Sequence, residues 1–196
     1  MTQDDSATRD TAGETDPRVV VERLLASLPR RRAHTLAVGG EARRVAVLAA
    51  TEARADLVTA AYLHDIGYAP AATDTGAHQL DGARLLRRMG YGDRVCRLVA
   101  HHTGAVHEAR VRHLETYLLR EFPEPDPTLL ALLTYCDLST GPTGDPVSVE
   151  DRLVDIFDRY GPAHVVSRAM RAAEPDLLAT VTAVRDQLRE AGSTFR

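Results

Sequence analysis

Lysine is absent from this chain: every one of its 24 basic residues is arginine. No lysine Schiff base is therefore possible, and any cation that grips a phosphate must be a guanidinium. Cysteine is scarce. Cys96 and Cys136 are too few for a disulfide framework and read as small buried apolar residues, so a cytoplasmic location is expected. No apolar run reaches the roughly 18 residues that a membrane span needs, which argues against a membrane partner. The first residues, Met1-Thr2-Gln3-Asp4-Asp5, lack the basic-then-apolar pattern of an export signal. A net charge of −4 leaves no basic excess, so a dedicated nucleic-acid binder is not expected.

What is present is helical periodicity. Residues 1–16 are polar and read as a flexible tail. Pro17 can open a helix with the stripe Val20, Val21, Leu24, Leu25 and Leu28. A longer helix is predicted from about Arg31 to Ala50, in which Gly39-Gly40 permits close approach of a neighbour. A third runs from about Glu52 to Ile66 and stops at Gly67. The loop Tyr68–Gly76 follows, with Thr73-Asp74-Thr75 placed as a lid, then helices near Ala77–Met89 and Asp93–His102. Glu108–Glu121 reads as one helix, Thr128 as the cap of Leu129–Leu138, and Ser148 as the start of another helix. Two helices, about Pro162–Ala173 and Pro175–Ala191, end the chain. No alternating β-branched run competes, so the expected fold class is all-α: a single domain over 17–196, with its C-terminal helices within 148–191.

Set on these helices are His34, the pair His64-Asp65, His78, the pair His101-His102, and Asp137. Imidazoles and carboxylates without thiolate suit Mn, Fe, Co, Ni or Zn. A lone histidine on an apolar helix is more often core or surface than ligand. Here position carries the case. Asp137 lies inside Leu132-Leu133-Thr134-Tyr135-Cys136-Asp137-Leu138, where a carboxylate is unfavourable unless paired or bound to metal. His107, His113 and His164 read as surface residues.

The order His34, His64-Asp65, Asp137, in these helical contexts, resembles the HD-domain superfamily of metal-dependent phosphohydrolases, over roughly Arg31 to Leu138. The resemblance implies a helical bundle, of about eight to ten helices by the periodicity. It implies one divalent ion on His34, His64, Asp65 and Asp137. Segments Gly76–Ala83 and Leu98–Thr103 match members with two more histidines and a second ion, here His78 and His101, with Asp65 as the bridging, catalytic residue. His101 is favoured over His102, which is left as a metal or substrate contact. The ions expected are Mn, Fe, Co or Ni, with Mg admitted, one or two per chain. Arg31, one helical turn before His34, and Tyr68 are the expected substrate contacts.

Tyr68 stands where many members carry lysine after His-Asp-Ile-Gly. The acidic residue of some nucleotide monophosphatases is missing beyond the pair, and so is the glycine-tyrosine-proline signature of cyclic dinucleotide phosphodiesterases. The implied activity is hydrolysis of a phosphoester of a nucleotide or other small phosphorylated metabolite, by a monomer or homodimer. The alternatives are a mixed-valent di-iron oxygenase, which uses the same ligands, and a regulatory HD module, which usually loses some of them.

Overall fold

The computed structural model describes residues 16–194. The expected N-terminal tail thus lies outside the described residues, except for Asp16. That residue caps α1 (Pro17–Leu24): its side chain accepts from the Arg18 backbone N–H, and Pro17 takes the first helical position.

α2 (Pro29–Val45) and α3 (Arg54–Leu63) pack against each other, joined by two short 3-10 turns. Only half of the glycine pair in α2 is needed for that contact. A Cβ on Gly39 would fall 2.1 Å from the Tyr62 ring, whereas Gly40 faces open space. α3 ends one turn earlier than the periodicity predicts, and His64 and Asp65 sit in the turn between it and a 3-10 segment, Ile66–Tyr68. Gly67 in that segment is required by proximity, not merely as a stop: a Cβ there would lie 1.8 Å from the His78 carbonyl oxygen. Backbone thus meets backbone, with Gly82 on the opposing helix α4 (His78–Arg88).

The intervening loop is fastened rather than free as a lid would be. Asp81, buried on α4, accepts from the backbone N–H groups of Asp74, Thr75 and Gly76 and from the Thr75 hydroxyl. α5 (Asp93–His101) packs on α3 and α4. The single helix predicted over Glu108–Glu121 is two, α6 (Ala105–Val111) and α7 (Glu115–Glu121), because His113 turns to φ 60° and breaks the ladder.

α8 (Pro127–Leu138) is capped by the Asp126 carboxylate rather than by Thr128; Asp126 accepts from Thr128 N and Leu129 N. Every residue from Leu132 to Leu138 is buried, which makes α8 the central helix, in contact with α2, α3, α5, α9 and α10. α9 (Val149–Tyr160) starts on Ser148, as its sequence predicts. The two C-terminal helices are one, α10 (Val165–Thr194), which passes through Pro175. Proline removes one ladder bond. The stripe Ala169, Met170, Ala173, Leu177, Val181 and Val184 stays buried on both sides of it, and burial of that stripe holds the helix together. Among the described residues no helix is long and apolar enough to cross a membrane.

Candidate metal centre

Five elements deliver the polar cluster at the heart of this bundle: α2 brings His34, the turn after α3 brings His64 and Asp65, α4 opens with His78, the end of α5 brings His102, and α8 brings Asp137. α5 ends at His101, and His102 follows it. His34, His64, Asp65, His102 and Asp137 are each at most 7% exposed, so none can rely on water for its hydrogen bonds.

Carbonyl groups fix three of the rings. Nδ1 of His34 is 3.0 Å from the Gly141 oxygen, Nδ1 of His64 is 2.8 Å from Ala61, and Nδ1 of His102 is 2.7 Å from Val99. A carbonyl can only accept, so each Nδ1 carries a proton and each Nε2 is turned inward. This is the arrangement by which outer hydrogen bonds orient metal-binding imidazoles.

The inward atoms converge. His34 Nε2 is 3.0 Å from Asp137 Oδ1, and His64 Nε2 lies 3.4 Å from Asp65 Oδ2 and 3.8 Å from Asp137 Oδ1. His78 Nε2 is 3.4 Å from Asp65 Oδ1 and 3.3 Å from His102 Nε2. The two oxygens of Asp65 therefore face different sets, Oδ2 toward His34 and His64, Oδ1 toward His78 and His102. Two triads, His34–His64–Asp137 and His64–Asp65–His102, have ligand atoms within 4.8 Å of one another and could hold metal ions. His64 Nε2 is buried with no hydrogen-bond partner, an orphan that a cation would satisfy.

His101 is not brought to this cluster. Its Nε2 donates to the Phe122 carbonyl at 2.7 Å, so the nitrogen that would face a metal is already engaged elsewhere. The ring that meets Asp65 and His78 is that of His102, against the expectation that favoured His101. The spacing of His101 from the apolar Leu98 favours it as the inward residue, but the helix ends at His101 and the chain turns there, with Thr103 at φ 36°.

Both expected substrate contacts reach the site. Arg31 Nη1 is 2.6 Å from Asp65 Oδ2, and its guanidinium lies 4.0 Å above the Tyr68 ring. Tyr68 stacks in turn on His78 at 4.2 Å. A buried arginine that the sequence does not single out joins them. Arg152 on α9, 4% exposed, places Nη2 3.7 Å from Asp137 Oδ1 and 3.5 Å from His34 Nε2. No local pattern marks it, since its helix reads as an amphipathic element with ordinary surface charges. Gln79, Thr103 and Glu108 line the same cavity of about 50 Å³.

Electrostatics match the geometry. Burial alone would raise the pKa of both carboxylates, but their neighbours outweigh it: the charges of Arg31 and His64 hold Asp65, and the hydrogen bond with His34 together with the charge of His64 holds Asp137, well below the usual range. Burial likewise opposes protonation of His64, yet Asp65 and Asp137 raise its pKa. The carboxylates that favour a proton there would favour a divalent ion more. His102 is pushed down to about 4, chiefly by burial, and His78 well below its usual value for the same reason.

The family model for the HD domain matches residues 31–163. The chain belongs to the HD domain family. The match extends past Leu138, where the sequence resemblance ended, and takes in the whole of α9 with Arg152. No curated protein and no solved structure matches the chain.

Proposed function

We propose that this HD domain is a metal-dependent phosphohydrolase acting on a small phosphorylated metabolite. The observation that carries the reading is the convergence of inward-facing Nε2 atoms on the two oxygens of one buried carboxylate, Asp65, beside the half-buried Arg31 and the buried Arg152. His34, His64, Asp65 and Asp137 would hold one divalent ion, and Asp65, His78 and His102 a second, with His102 in place of His101. Bound there, such ions supply hydroxide from water near neutral pH and polarise phosphoryl oxygens.

The protein's own groups do the rest. Arg31 is held by Asp65 and the Tyr68 ring, and it presents its remaining N–H donors to the non-bridging oxygens of a phosphoryl group. Tyr68, packed between Arg31 and His78, keeps both in place and excludes water from their side of the cavity. Arg152 adds a second fixed positive charge beside Asp137. No lysine competes for these roles.

The test is phosphate release from a panel of phosphomonoesters by protein loaded with Mn, Co, Ni or Fe, compared with Asp65→Ala and Asp137→Ala. Both variants should lose activity and at least one ion per chain. Wild-type turnover in either would remove the assignment. Two irons per chain with a coupled mixed-valent paramagnetic signal, and no phosphate release, would favour the di-iron oxygenase instead.

A further inference from the structure

Next to the metal cluster lies a larger pocket of about 340 Å³, whose wall includes His34 and four arginines: Arg30, Arg31, Arg152 and Arg159. The size falls in the range of small-molecule sites, roughly 300–1,000 Å³. Its other lining residues are uncharged, and the carboxylates that pair with three of these arginines, Asp65, Asp137 and Asp155, do not line it. Arg31, Arg152 and Arg159 also line the smaller cavity at Asp65, His78 and His102. The two spaces thus meet at three shared guanidiniums.

Three of these arginines are positioned, whereas Arg30 stands exposed at the rim. Arg31 is fixed by Asp65 and Tyr68. Arg152 and Arg159 both reach Asp155, one turn along α9 from each, so one carboxylate anchors two cations. A guanidinium carries five N–H donors, and these contacts use only a few of them. The Nε of Arg152 is buried without a partner, while Nη2 of the same guanidinium stands beside His34 and Asp137. Four guanidiniums exceed what one phosphoryl group at the metals requires, and they stand in a space much larger than the cavity at the metals.

We infer that the substrate carries a second phosphoryl group, bound in the pocket of Arg30, Arg31, Arg152 and Arg159 while the first is hydrolysed at the metal cluster. This rests on the phosphohydrolase reading and narrows it to small metabolites with two phosphates, or with a diphosphate, on one scaffold. The pocket recognises and positions the substrate. No bond is made or broken there.

Two measurements on the full-length, metal-loaded protein test this. The first compares phosphate release from matched scaffolds that bear one or two phosphates. The doubly phosphorylated member should show kcat/KM about 10- to 100-fold higher, the range expected for hydrogen bonds to charged groups. Arg159→Ala and Arg30→Ala should narrow that gap. The second is calorimetric binding of 1,3-propanedisulfonate against methanesulfonate, anions that ligate metals poorly and are not hydrolysed. The disulfonate should bind at least about tenfold tighter, and Arg159→Ala should abolish the difference. Disulfonate selectivity that depends on Arg159, with no ester hydrolysed, would keep the pocket and remove the phosphohydrolase. Turnover of singly and doubly phosphorylated esters at equal rates, with no disulfonate selectivity, would keep the phosphohydrolase and overturn the pocket.

Discussion

Replacing Gly67 by alanine would drive a methyl group into the first turn of α4. The added Cβ would lie 1.8 Å from the His78 carbonyl oxygen, 2.6 Å from its carbon and 2.8 Å from Gly82 N, all backbone atoms that no side-chain rotation can move. To restore an ordinary 3.4 Å contact, α4 must retreat by about 1.6 Å. Overpacking a core typically costs about 1–3 kcal/mol, and a backbone collision belongs at the upper end. For a chain of this size about 3 kcal/mol lowers Tm by roughly 6–12 °C. The same retreat carries His78 away from Asp65, from which its Nε2 now stands 3.4 Å. A misplacement of about 1 Å can cost on the order of 100-fold in rate. Scanning calorimetry, metal content and phosphate release together read out the effect. Gly40→Ala is the control: the new methyl meets nothing within 4 Å inside α2, so it should raise stability by up to about 1 kcal/mol. A Gly67→Ala protein with the melting temperature and metal content of the wild type would refute the argument.

The two histidines of the pair should separate cleanly. His102→Gln should lose about one ion per chain, whereas His101→Gln should keep its ions and lose only about 1 kcal/mol for a disturbed bond to Phe122; elemental analysis of both settles it, and the reverse pattern would restore His101 as ligand. Acid should empty the centre in order. The pKa of His64 stands above its ordinary 6.5 and that of His102 near 4, so protons displace an ion from the His34–His64–Asp137 side first as pH falls, with affinity complete above the His64 pKa and dropping about tenfold per unit below it. Metal retained after desalting at stepped pH reads this, and simultaneous loss of both ions would contradict it. Asp81→Asn should weaken the hold on Asp74, Thr75 and Gly76 by about 2 kcal/mol, lower Tm by roughly 4–8 °C and speed amide exchange at those residues. Unchanged exchange there would show that something else pins the loop.

Apolar periodicity placed the helices well where burial is one-sided, as in α1, whose buried Val20 and Val21 lie on the predicted stripe. It misjudged boundaries set by chemistry that is not periodic. Asp126 caps α8 in place of Thr128 because a carboxylate two residues ahead can satisfy both free N–H groups. Pro175 does not end α10, because a buried stripe spanning it outweighs one missing hydrogen bond. At the site, His34, His64, Asp65 and Asp137 stand out by their positions in or at the ends of apolar helices and His78 by the family resemblance, and the structure brings them together. The choice of His102 could not, since it depends on where α5 ends and which carbonyl each ring finds. Arg152 and Arg159 could not either. They approach from α9 through tertiary packing, a relation that no local pattern encodes.

The contact between His34 and Asp137 joins residues 103 apart in the chain. Closing so long a loop costs entropy, and contacts of such high sequence separation slow folding. The centre therefore completes itself only when α2 and α8 have found each other, which makes it a late event in folding rather than a seed for it. An ion that binds the finished cluster and not the unfolded chain acts as a clasp across most of the sequence. Its stabilisation grows with the logarithm of its free concentration. Removing it with a chelator should accordingly destabilise the central bundle as a whole and accelerate its unfolding, instead of loosening one corner.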